Sequence, residues 1–145
     1  MIYLVIKETG EYDSYSMGLM FASTSEAKAQ QKLTELERTY QLASKLHNEI
    51  MEYVNEYAMN NPYPPYPTEY SKEELVWISG RGWMHPTIIA HEKKEDEQRK
   101  KWYAARQQKL KELAAQHNIN AHTIDNTSAY DVPRFSIQEV ESDNE

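Results

Sequence analysis

Residues 24–61, TSEAKAQQKLTELERTYQLASKLHNEIMEYVNEYAMNN, decide the fold. No glycine or proline interrupts them, and Ala29, Leu33, Leu36, Tyr40, Ala43, His47, Ile50, Val54 and Tyr57 recur at alternating spacings of four and three. That is the a/d seam of four heptads, with His47 as its polar member. Ser23 and Glu26 match a capping box, so a helix is expected from about Thr24 until Asn60-Asn61-Pro62 stops it. At 1.5 Å per residue, about 35 residues reach roughly 52 Å, longer than a domain of this size is wide. Such a helix needs a second long helix, from its own chain or from a twin. A homodimer through this first helix is one way to cover the seam.

Working outward, Ile2–Ile6 reads as a strand with apolar residues on both faces, and Tyr15–Ala22 alternates as a second strand. Turn residues at Thr9–Asp13 join them into a hairpin, and Gly18 suggests a bulge. Beyond the helix, Pro62-Tyr63-Pro64-Pro65-Tyr66-Pro67 reads as polyproline II. Ser71 and Glu74 form a second capping box, predicting a short helix through Leu75–Ile78, and 80–86 reads as a loop. A second long helix is expected over about His91–Gln116, with a weaker stripe of Trp102, Ala105, Leu110, Leu113 and Ala114. The chain then stays polar up to Ser128, and Phe135–Val140 reads as a third strand able to join the hairpin. The expected class is α+β: a small antiparallel sheet, formed by the N-terminal hairpin and a C-terminal strand, with a long helical hairpin. Residues 1–141 are expected as one domain and 142–145 as a disordered acidic tail.

The 145 residues carry a net charge of −7, no cysteine, 39% hydrophobic residues and a mean hydropathy of −0.86. The absence of cysteine excludes disulfides, thiol catalysis and thiolate-ligated metal. The first ten residues lack a basic region and a long apolar run, and no stretch approaches 18 apolar residues, which favours a cytoplasmic protein that crosses no membrane.

Motifs for chemistry are missing. The histidine pairs His85/His91 and His117/His122 lack i, i+4 spacing, and there is no P-loop, GxGxxG or GxSxG. Glu49, Glu52 and Glu56 follow one helical face and share one environment, unlike a catalytic acid–base pair. The reading is therefore not an enzyme, with no cofactor, no metal and no catalytic residue. His47 in the seam is either a hydrogen-bonded, half-buried side chain or a pH-sensitive helix contact.

Two surfaces remain. Tyr63, Tyr66, Tyr70, Trp77 and Trp83 crowd the connector between the helices, either as a lid over the hairpin or as a protein-binding surface. On the second reading, Tyr63, Tyr66, Arg81 and Trp83 are the candidate contact residues. The other surface comes from charge: residues 92–117 hold 8 basic and 5 acidic groups, a balance of +3 between two segments that are each −5. Within 98–111 there is no acid, and Arg99, Lys100, Lys101, Trp102 and Arg106 form the alternative, a nucleic-acid-binding helix. The bland reading of that helix is a solvated basic face answering acids on the first helix. A whole acidic surface mimicking nucleic acid is a further reading, set back by the modest net charge.

The segments IYLVIKETGEYDSYSMGLMFASTSEAKA and FSIQEVE resemble the ends of small accessory proteins encoded by bacteriophages, over about a third of the chain. That resemblance implies a strand pair leading into a capped helix, with a late strand completing the sheet. It also implies a small acidic binder that inhibits or redirects a host protein, in some cases a defence protein, in the bacterial cytoplasm. It carries over no catalytic residue.

Overall fold

The alternating N-terminal residues pair as expected. In the computed structural model, which describes residues 1–10, 14–70, 72–128 and 130–142, β1 (Ile2–Thr9) and β2 (Ser16–Ser23) are antiparallel. Gly10 leaves β1 at φ 76°, and a Cβ there would collide with the Ser14 carbonyl, so the turn requires glycine. Register passes from Val5↔Phe21 to Ile6↔Leu19, which makes Met20 the extra residue of a β-bulge. The expected bulge at Gly18 is therefore displaced by two positions: Gly18 pairs regularly with Lys7.

The first long helix, α1 (Glu26–Asn60), starts two residues later than the capping box suggested. Ser25 is the cap, its Oγ accepting from the Lys28 N–H at 3.3 Å, while Ser23 Oγ accepts from the Ser25 N–H at 3.0 Å. A short hairpin follows, β3 (Val76–Ile78) with β4 (Gly82–Met84). This overturns both the short helix over Leu75–Ile78 and the loop reading of 80–86. Val, Trp and Ile suit a strand, and glycines at φ 81° (Gly80) and φ 87° (Gly82) supply a tight turn closed by the Arg81 N–H on the Ile78 carbonyl at 3.0 Å. Ser71, the proposed cap of that helix, lies outside the described residues.

The second long helix, α2 (Pro86–His117), begins five residues ahead of His91 because proline is well placed in a first helical turn. His85 caps it, accepting from the Thr87 N–H through Nδ1 at 3.1 Å. At its end Asn118 takes φ 50° and Ile119 N–H reaches the Ala114 carbonyl at 3.1 Å, a Schellman closure. The polar stretch after it contains α3 (Ala121–Asp125), capped by Asn120. Then β5 (Arg134–Val140) pairs antiparallel with β1, giving the order β2-β1-β5. The α+β class stands: a small antiparallel sheet with two long helices. The acidic tail expected over 142–145 falls, beyond Ser142, outside the described residues.

Contacts divide the chain into two units, Met1–Met51 with Leu110–Glu145, and Glu52–Lys109. In the first, one sheet face packs on α1: Val5, Ala29 and Leu36 are buried among Tyr3, Phe21, Leu33, Tyr40, Phe135 and Ile137. The early part of the seam thus packs against the protein's own sheet. Tyr40 and Phe135 meet at 5.3 Å, and the Lys7 ammonium sits 4.9 Å from the Tyr40 ring centre. Among the described residues, Leu46, Ile50, Leu110, Leu113 and Ile124 are the remaining large buried apolar side chains in this unit apart from Ile6. His47 Nδ1 lies 2.9 Å from the Ile124 carbonyl, so α1 and α3 are joined by a polar contact beside that core.

Candidate functional site

The second unit is built with almost no interior. Among its described residues, His91 alone is buried. Order comes instead from side chains set along α2. The Asn61 carbonyl, at the end of α1, accepts from Trp102 Nε1 at 2.8 Å and Gln98 Nε2 at 2.5 Å. Lys109 Nζ lies 5.2 Å from the Tyr53 ring centre, so as α1 advances α2 retreats, the antiparallel arrangement of a helical hairpin.

From Asn61 the proline-rich segment runs back along α2 through three ring contacts. Tyr63 meets Trp102 at 4.2 Å with its ring tilted 43°, Tyr66 meets His91 edge-on at 5.2 Å, and Tyr70 meets His85 at 5.0 Å. From Tyr63 to Tyr70 a polyproline II chain would advance about 22 Å. From Trp102 back to His85 a helix covers about 26 Å, a comparable distance. Prolines suit such a strap because they lose little freedom on being laid out and need no donor partner. Beneath the strap lies a groove of about 490 Å³ whose walls include Pro64, Pro65, Pro67, Pro86, Ala90 and His91. His91, in its wall, has Nε2 paired to Glu95 one turn along the helix.

The hairpin presents the largest exposed rings. Trp77 and Trp83 are directly opposite partners, edge to face at 5.5 Å, and remain 60% and 65% exposed. An isolated two-stranded hairpin is marginal in water, and a cross-strand aromatic pair is the device that holds it. Arg81, in its turn, forms a two-point ion pair with Glu92 of α2. That bond holds the Glu92 carboxyl below its ordinary value and the Arg81 guanidinium above its own.

All four candidate contact residues thus lie in one unit, in different states. Tyr66 and Trp83 are well exposed; Tyr63 is partly engaged with Trp102, and Arg81 is engaged with Glu92. Trp77, exposed and opposite Trp83, lies outside that candidate set, though V-W-I and G-W-M around two glycines are legible as a tryptophan pair across a hairpin.

The basic helix is less available than its composition implies. Arg99 pairs with Asp96 at 2.6 Å, and a side-chain hydrogen bond with Tyr63, then attraction to it, hold the guanidinium above its ordinary value. Trp102 is committed to Asn61 and Tyr63, and Arg106 is half-buried; Lys100 and Lys101 point into solvent. Among the described residues no cluster of three or more His, Asp or Glu side chains could hold a metal ion. Among the described residues, no helix is long and apolar enough to cross a membrane. No protein-family model, curated protein or solved structure matches the chain.

Proposed function

We propose that the chain is a non-enzymatic binding protein whose target protein docks on the tyrosine- and tryptophan-bearing surface of Glu52–Lys109. One observation carries this reading: a unit with a single buried residue among those described keeps Trp77, Trp83, Tyr66, Tyr70, Leu75 and Val76 exposed on the segment from Tyr66 to Trp83. Trp and Tyr anchors are the usual hot spots of protein interfaces, each worth about 2 to 4 kcal/mol when buried centrally. Together with the resemblance to phage accessory proteins, this favours a host protein in the bacterial cytoplasm as target, inhibited or redirected by occlusion of its surface. The pairing of Arg99 and the commitment of Trp102 weigh against nucleic acid as the main ligand.

The test is affinity capture from bacterial lysate with the full chain, a Trp77→Ala/Trp83→Ala variant, and a Lys100→Glu/Lys101→Glu variant. A specific protein retained by the wild type and by the lysine variant, and lost with the tryptophan variant, supports the reading. Capture that depends on the lysines, or a salt-sensitive shift of single-stranded or duplex probes by the wild type, would favour the basic helix instead.

A further inference from the structure

The sheet of the first unit has two edges, and they are not alike. β5 carries Arg134 and Glu139, the charges that discourage another strand from adding to an edge. β2, SMGLMFAS, has no charge and no proline, and no charged residue occurs anywhere from Ser14 to Ser25. Its bulge at Met20 leaves Ser16–Leu19 in regular pairing with β1, so the outward side of that four-residue stretch is an open template. Met17 and Leu19 stand 58% and 60% exposed. They pair with Glu8 and Ile6, placing them on the sheet face opposite the one that packs α1.

We propose that β2 is a self-association edge, where a second copy of this chain adds its own β2 antiparallel about a two-fold axis to form a continuous six-stranded sheet. Two arguments select a second copy over a foreign strand. First, two molecules of net charge −7 repel, and a charge-free strip lets them meet without opposing like charges. Second, β2 offers no charge by which a foreign strand of either sign could be selected, whereas a two-fold pairing sets its exposed Met17 and Leu19 beside the same residues of the copy. The regular stretch Ser16–Leu19, about 14 Å long, forms a small interface, so the association is weak and concentration-dependent.

Sedimentation equilibrium of the full chain tests this, with Leu19→Lys and Met17→Lys as exposed substitutions and circular dichroism to verify folding. The wild type is expected to pass from monomer at about 2 μM to dimer at about 200 μM, and either lysine variant to weaken dimerisation at least tenfold, or about 1.4 kcal/mol. Hydrogen exchange on the wild type gives a measure independent of any variant: the amides of Ser16–Leu19 should slow as concentration rises. A wild type that stays monomeric at the higher concentration overturns the proposal. So does an undiminished dimer of the Leu19→Lys variant, which would place self-association on another surface such as α1. Protection of β2 only when a captured target protein is present would also overturn it, assigning the edge to that target.

Discussion

Replacing Ile124 by alanine should unfold more than one side chain's worth of structure. Ile124 is 0% exposed, and its helix α3 spans five residues, far below the length at which a helix is stable by itself. Packing therefore holds α3 in place. Removing three buried carbons forfeits about 2.4 kcal/mol of transfer free energy at about 0.8 kcal/mol each, before the cavity is counted. Measured losses for such truncations run from about 2 to 5 kcal/mol. The Ile124 carbonyl also meets the His47 ring at 2.9 Å, so disorder in α3 would leave that half-buried imidazole without its partner. We expect a loss of about 3 kcal/mol, or about 6 to 12 °C in melting temperature for a chain of this length. Urea denaturation followed by circular dichroism measures it, with an unchanged m-value showing that the comparison is of stability alone. Leu75→Ala, at an exposed position of the second unit, serves as the control and should change stability by less than about 0.5 kcal/mol. An Ile124→Ala protein within about 0.5 kcal/mol of wild type would refute the reasoning that α3 is held by its buried isoleucine.

Three further outcomes follow from the same contacts. Ser25→Ala should lower stability by about 1 kcal/mol through loss of the α1 cap, and a urea midpoint equal to wild type would contradict the assignment of the cap to Ser25. Native-state hydrogen exchange should show strong protection in α1 through Ile50 and weaker protection from Tyr53 to Tyr57, because buried residues end at Ile50; uniform protection along the helix would contradict this. The Glu92 carboxyl is held low in the folded state, chiefly by its hydrogen bond to Arg81, so what that bond contributes is present above the ordinary glutamate range. It is lost as pH falls through the lowered value. Tryptophan fluorescence should report that loss in acid for the wild type and not for Glu92→Gln, and identical acid profiles would rule the pair out as its cause.

Periodicity carried most of the fold. The seam of α1 is legible because each of its members, from Ala29 to Tyr57, is buried or half-buried in the structure. The sheet is legible because β1, β2 and β5 show alternation or dense β-branched and aromatic content. Failure came where two local signals competed. Around Leu75–Ile78 a serine–glutamate spacing suggested a cap, while the two glycines four and six residues after Val76 demanded a turn, and the turn chemistry won. α3 escaped because five residues are too few for a period to show, and only tertiary burial of Ile124 reveals it. In the candidate site, the residue types were readable and their engagements were not. Nothing in composition says that Trp102 spends its indole N–H on the Asn61 carbonyl, or that Arg81 faces Glu92 eleven positions away.

The central position of β1 also bears on biosynthesis. β1 leaves the ribosome well ahead of one of its two neighbours, β5, which does not start until Arg134. At about 5 to 20 residues per second, the interval between Thr9 and Arg134 lasts roughly 6 to 25 s. Through that time the hairpin of β1 and β2 has an open side on the very strand that later becomes its middle. Nascent chains on neighbouring ribosomes could pair there in the wrong order, so the yield of correctly assembled protein should depend on how quickly translation runs through to β5.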